Sequence, residues 1–134
     1  MTLQEIMDTF AFFDDWEDRY RFILELGKDL EELSPADRTD ANLVRGCQSQ
    51  VWLTCKTHAD GRLHLRMDSD AHIVRGLISI VLTALNDKLP REILEFDIEQ
   101  VFAELDLMQH LSQTRGNGLR AMLERIRHEA AHAA

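Results

Sequence analysis

Cys47 stands in the stretch Arg45-Gly46-Cys47-Gln48-Ser49-Gln50-Val51-Trp52, after a glycine, among small and polar residues, and directly before an apolar alternation. This is the arrangement of a thiol at the tip of a loop rather than of one packed in a core. A nucleophilic sulfur needs access, backbone freedom beside it and a neighbour that favours the thiolate. Gly46 allows a positive φ and close approach by another segment. Arg45 places a positive charge next to it in sequence. The competing reading is general: a free cysteine is usually a small buried hydrophobe.

Two other groups of residues invite chemistry but read differently. Cys55 is in phase with Val51 and Leu53 on an alternating segment, which is the position of a core thiol. Eight residues of extended chain span about 26 Å, and a disulfide needs its Cα atoms within about 7 Å, so a Cys47–Cys55 bridge is not expected. His128-Glu129-Ala130-Ala131-His132 has the H-E-x-x-H spacing of zinc proteases. It lies at the end of the chain, where helices fray, and the sequence identifies no third ligand. It reads as a solvated helix end whose histidines suit the negative pole of the helix. His58, His64 and His72 fall at strand or helix edges without ligand spacing. No metal site is expected.

The elements that must position Cys47 follow from periodicity. Thr2 with Glu5 fits a capping box for a first helix. Asp14 or Asp15 can start a second, with Trp16, Tyr20, Ile23 and Leu24 on one face and Gly27 as its stop. Ser34-Pro35-Ala36-Asp37 is a turn. Residues 51–56 and 62–67 alternate as strands, joined through the hairpin signal Asp60-Gly61. Leu43 and Val44 can form a third strand that delivers the chain to the Cys47 loop, and Trp52 would pack on the sheet or on a terminal helix. Ser69 or Asp70 can then cap a central helix whose broad apolar stripe runs from Ile73 to Leu85. Pro90 opens a short helix, Asp97 caps another through Leu105, and Ser112 or Thr114 precedes a last helix carrying Leu119, Met122, Leu123 and Ile126. The predicted class is α+β, with a small antiparallel sheet of about three strands against a central helix and flanking N- and C-terminal helices.

Composition narrows the function. The chain has 134 residues, 45% of them hydrophobic, and a net charge of −9. That is the size of one domain, 1–134, with enough apolar residues for a core. Nucleic-acid binding rests on clustered Lys and Arg, so an acidic balance argues against it. The longest nearly apolar run, Gly76 to Leu85, is too short for a bilayer. No basic segment followed by an apolar core opens the chain. Two cysteines are too few for a disulfide scaffold, and a reducing cytoplasm is the expected compartment.

Three segments in order carry a family resemblance. Gly46-Cys47-Gln48-Ser49-Gln50-Val51-Trp52 resembles the active-cysteine segment of SufE-type sulfur-acceptor proteins. Residues 68–77, Asp-Ser-Asp-Ala-His-Ile-Val-Arg-Gly-Leu, resemble the family's helix opening after the second strand. Residues 110–119, His-Leu-Ser-Gln-Thr-Arg-Gly-Asn-Gly-Leu, resemble its C-terminal segment. Arg45 departs from the proline common before the Gly-Cys pair, and Gly116 from a common serine.

The resemblance implies a fold shared with iron–sulfur scaffold proteins and a function as sulfur acceptor. Cys47 would take sulfane sulfur as a persulfide from a pyridoxal-phosphate-dependent, SufS-like cysteine desulfurase, stimulate that enzyme, and pass sulfur to iron–sulfur cluster assembly. The chain would be a transfer partner rather than a stand-alone enzyme and would need no cofactor of its own, the pyridoxal phosphate belonging to the desulfurase. Gly46 would let the loop move, and Gln48 would bond the loop or touch the partner. Asp70 would restrain the loop from the helix start, and Arg115 would belong to the partner-binding surface. The rival classes are an iron–sulfur or zinc scaffold of the same fold, which needs about four strong ligands, and a thiol peroxidase or redox sensor, which wants a resolving thiol.

Overall fold

The computed structural model describes residues 1–133. Helix α1 (Leu3–Phe12) opens on the expected capping box: Thr2 Oγ1 accepts from Glu5 N, and Glu5 accepts in return from Thr2 N. Helix α2 (Trp16–Lys28) is capped by Asp15. Ile23 and Leu26 are its buried apolar side chains, whereas Tyr20, expected on the inner face, is exposed. Gly27 does not stop this helix. It marks the place where α2 crosses the central helix α3 (His72–Leu85) against Gly76. A Cβ on Gly76 would stand 2.1 Å from the Ile23 carbonyl oxygen, so the absence of a side chain sets how closely the two helices pack.

Strands β1 (Val51–Thr57) and β2 (Leu63–Ser69) pair antiparallel from Val51↔Ser69 to Thr57↔Leu63. The third strand is reduced to one bridge, Leu43↔Trp52, with Val44 N donating to Val51 O at 2.7 Å. The chain leaves the sheet there because Gly46, at φ +93°, turns it into the loop that bears Cys47. The sheet is therefore two-stranded rather than three-stranded, within the expected α+β architecture.

Helix α3 lies in the centre of the core, as its apolar stripe predicts. Ile78, Ile80 and Val81 have no exposed surface, and complete burial of a side chain of this kind is worth about 1.5–3 kcal/mol. Short helices α4 (Pro90–Glu95), α5 (Ile98–Glu104, capped by Asp97) and α6 (Leu107–His110) follow α3. Long helix α7 (Gln113–Ala133) packs against α4, its start capped by Ser112 Oγ accepting from Arg115 N at 3.2 Å. No helix among the described residues is long and apolar enough to cross a membrane.

One buried ionic cluster supports the end of the sheet nearest Cys47. Asp68 is fully buried, and its carboxylate accepts from Arg75, from Arg38 at 2.8 Å and from Leu33 N at 3.0 Å. The Arg38 guanidinium also lies over the buried Trp52 ring. Trp52 is thus covered by the chain that follows α2, which makes this end of β1 and β2 buried on both faces.

Candidate functional site

The Cys47 loop is held at both stems and, between them, touches α7 through Cys47. On the incoming side, Arg125 of α7 donates to the carbonyls of Leu43 and Ala41, each at 3.2 Å, and pairs with Glu129. On the outgoing side, Gln50 is fastened to the segment after β2. Its N–H donates to Asp70 Oδ1 at 3.1 Å, and its carbonyl accepts from Ser69 Oγ at 2.7 Å and from Asp70 N at 3.3 Å.

This arrangement corrects one expectation. Asp70 does not cap α3; the N-cap position is Ala71, with no side-chain cap. The carboxylate is spent on Gln50 N because that donor, just before the first pair of β1, faces it across the hairpin end. The restraint of the loop by Asp70 is direct. Ser69 also turns inward, donating to Gln50 O and accepting from Ala71 N.

Between the stems, Gly46 has a backbone conformation that a residue with a side chain adopts only with strain. A Cβ there would also press on Ala121 Cβ at 3.2 Å. Cys47 is half-buried, and its Sγ–H donates to the Gly118 carbonyl at 3.4 Å. Gly118 lies in the first turns of α7, where glycine costs about 1 kcal/mol relative to alanine. Cys47 lies against this turn: a Cβ on Gly118 would meet Sγ at 3.6 Å, an ordinary van der Waals contact, so the tie between them is the hydrogen bond to the Gly118 carbonyl. Burial pushes the Cys47 thiol pKa up. Arg45, expected to favour the thiolate, is exposed and contributes nothing to that shift. At rest the sulfur is a protonated, shielded thiol.

Beside Cys47 lies a cavity of about 180 Å³. Gln48, Ser49 and Arg115 form its polar edge, and Val74, Leu77, Leu119 and Met122 line its apolar depth. The sequence-expected residues Gly46, Cys47, Gln48, Asp70 and Arg115 therefore gather around one loop, with Asp70 at its stem and Arg115 at the cavity wall. Sequence reasoning missed Gly118 and Arg125, whose roles depend on α7 folding back over the loop. Gly118 carried a weak signal, a second glycine two residues after Gly116 at a helix start.

The remaining reactive residues lie elsewhere. Cys55, expected in the core, is only half-buried on β1, and its pKa is raised by burial and by the Glu129 carboxylate. Both cysteines are free thiols. His110 stacks on Trp16 with ring centroids 3.9 Å apart, tying the start of the C-terminal segment to α2. His128 and His132 are exposed on the last turns of α7, where His132 Nδ1 meets the His128 carbonyl oxygen at 2.9 Å. His58 and His64 depart from the expectation of unconnected residues: both reach Asp87 at the far end of the hairpin. Their spacing was hidden because Asp87 arrives only after α3.

Comparison with known proteins identifies the family of the chain. The family model SufE, described as an Fe-S metabolism associated domain, matches residues 4–130. The chain is 49% identical to an uncharacterized SufE-like protein of Rhizobium meliloti, covering 96% of this chain and 94% of the relative. It is likewise 49% identical to an uncharacterized SufE-like protein of Rhizobium etli, covering 96% of this chain and 89% of that one. A solution structure of a hypothetical protein from Thermus thermophilus superposes with a TM-score of 0.77 over 99% of this chain and 98% of its own, at 20% identity, and shows the fold alone. With the family model spanning nearly every residue from α1 to α7, this chain belongs to the SufE family, which is associated with iron–sulfur metabolism.

Proposed function

We propose that this chain accepts sulfane sulfur on Cys47 from a pyridoxal-phosphate-dependent, SufS-like cysteine desulfurase, stimulates that enzyme by relieving it of sulfur, and delivers the sulfur to an iron–sulfur scaffold. The observation that carries this reading is the placement of Cys47: a free, half-buried thiol beside a small cavity, on a loop fixed at both stems with a glycine joint between them. Family membership supports the same reading.

The chemistry is thiol–disulfide exchange. Cys47 thiolate attacks the outer sulfur of the desulfurase persulfide, a new S–S bond forms on Cys47, and the donor cysteine leaves as a thiolate. One S–S bond replaces another, so no external oxidant or reductant is consumed. The transfer asks for no cofactor in this chain, the pyridoxal phosphate belonging to the desulfurase. The protein is a transfer partner and activator in a reducing cytoplasm rather than an enzyme acting alone.

Burial explains how the thiol is kept quiet. Inside its pocket Cys47 is held protonated, and the carbonyl of Gly118 accepts its proton. Drawing the loop outward removes the desolvation that raises its pKa and exposes the sulfur together. Arg115, at the cavity wall, contributes to docking, and Gln48 contacts the partner beside the thiol. A persulfide returned to the pocket is shielded from small thiols, which would otherwise discharge it by the same exchange. The test is mass spectrometry after incubation with a desulfurase and cysteine. A gain of one sulfur atom on the Cys47 peptide is expected, and an unmodified Cys47 under conditions of turnover overturns the reading.

A further inference from the structure

The far end of the hairpin, at the opposite end of β1 from the Cys47 loop, brings three potential metal ligands together. His58 follows the last residue of β1, His64 is the second residue of β2, and Asp87 follows the C-cap of α3. His64 Nδ1 lies 2.9 Å and His58 Nε2 lies 3.4 Å from the same atom, Asp87 Oδ1. One donor atom from each residue lies within 4.8 Å of the others. A tetrahedral zinc with bonds of ~2.1 Å separates its donors by ~3.4 Å, so small side-chain rotations suffice to enclose a cation.

The backbone beneath the three residues is fixed. Asp87 N donates to Leu63 O at 3.0 Å, and Leu63 N donates to Lys88 O at 2.9 Å. The Asn86 side chain bonds both the N–H and the carbonyl of Leu65, at 2.7 and 3.1 Å. Residues 86–88 are thus sewn to the edge of β2. Asp87 itself is left-handed, at φ 58°, a conformation that aspartate and asparagine adopt as single residues. The turn it makes brings its carboxylate to two imidazoles. The Arg62 guanidinium binds the Asp87 carbonyl and is paired with Asp60, not with the Asp87 carboxylate, which meets the two histidines.

We propose that His58, His64 and Asp87 form a binding site for a single divalent transition-metal cation of the zinc, nickel or cobalt class. Two imidazoles and one carboxylate suit such ions, and exposure of the cluster leaves the remaining coordination positions to water or to a partner's side chain. Metal ligation uses the neutral imidazole, so binding replaces the His64 Nδ1–Asp87 Oδ1 contact with bonds from both atoms to the cation. The site is remote from Cys47 and takes no part in the exchange at that sulfur.

The test is isothermal titration of the full-length Cys47→Ser/Cys55→Ser protein with zinc chloride, the thiols being removed because they bind zinc themselves. A saturating isotherm with one equivalent at micromolar protein is expected. It should weaken by more than about tenfold in His64→Ala and in Asp87→Asn. Asparagine tolerates the left-handed conformation, so the second variant keeps the turn and removes only the charge. His128→Ala/His132→Ala should leave the isotherm unchanged. No saturation at millimolar zinc overturns the proposal, as does an isotherm that survives both ligand substitutions or one that disappears with His128 and His132.

Discussion

Cys47 and Cys55 are chemically identical, both half-buried, and both shifted upward in pKa. Neither the burial class nor the direction of the pKa shift separates them; what differs most is what holds each sulfur. Cys55 is paired with Leu65 inside a continuous ladder, so its backbone moves only if the hairpin opens. Cys47 lies between two tethered stems on a segment with no ladder of its own, against the first turns of α7. Its sulfur can leave its pocket without breaking the sheet. In the proposed function, the accepting thiol is the one whose backbone is independent of the sheet.

The sharpest way to break that comparison is to remove each sulfur in turn. Cys47→Ser should abolish sulfur acceptance from a desulfurase, and Cys55→Ala should leave it within about twofold of wild type. Sulfur transfer followed by mass spectrometry decides it; undiminished labelling of the Cys47 variant would show that the two thiols had been assigned the wrong way round. Next in size is Gly46→Ala. A side chain at φ +93° costs about 1–2 kcal/mol, and its Cβ meets Ala121 at 3.2 Å. Lower thermal stability and an altered rate of Cys47 alkylation are expected, with Cys55 alkylation unchanged.

The loop and its thiol were legible in the sequence, and so were most elements, because their signals are local. Thr2 with Glu5, Asp15, Asp97 and Ser112 cap helices through bonds spanning three residues. Positions decided by distant partners were not legible. Asp70 looked like a cap until Gln50 N arrived twenty residues away to claim its carboxylate. Asp68 continues the outward phase of His64 and Arg66, yet is buried because Arg38 and Arg75 converge on it. Leu43 and Val44 have the composition of a strand but follow only one bridge before Gly46 turns the chain. His58, His64 and Asp87 share no local spacing at all.

The tethers sharpen the comparison more gently. Asp70→Ala removes the acceptor for Gln50 N while Ser69 still holds Gln50 O, so the outgoing stem loosens without release. Alkylation of Cys47 in the free protein should rise several-fold, and that of Cys55 should not move. Equal acceleration at both cysteines would point to general destabilisation. Arg115→Ala acts on the other side of the proposed function. It should weaken stimulation of the desulfurase while leaving alkylation of free Cys47 nearly unchanged, and unchanged stimulation would remove Arg115 from the docking surface.

The smallest effect separates the thiols by charge. Burial is the cause that raises the Cys47 pKa, whereas Cys55 is raised by burial and then by the Glu129 carboxylate. Glu129→Gln keeps an oxygen to accept from Arg125, which also holds the loop stem, but removes the negative charge. The alkylation profile of Cys55 should therefore move to lower pH, and that of Cys47 should stay where it is. Both folded pKa values lie above those of the unfolded thiols. The native state therefore retains protons that the unfolded chain has lost, and stability falls wherever the unfolded state binds fewer protons. The thiol contribution is fully present below the unfolded thiol pKa of about 8.5 and is lost as pH rises through the folded values. Glu129→Gln should reduce the part of that alkaline loss due to Cys55, and Cys55→Ala should remove it. Denaturant titrations of the three proteins across this range measure it; an alkaline slope identical in all three would mean that Cys55 contributes nothing to the pH dependence.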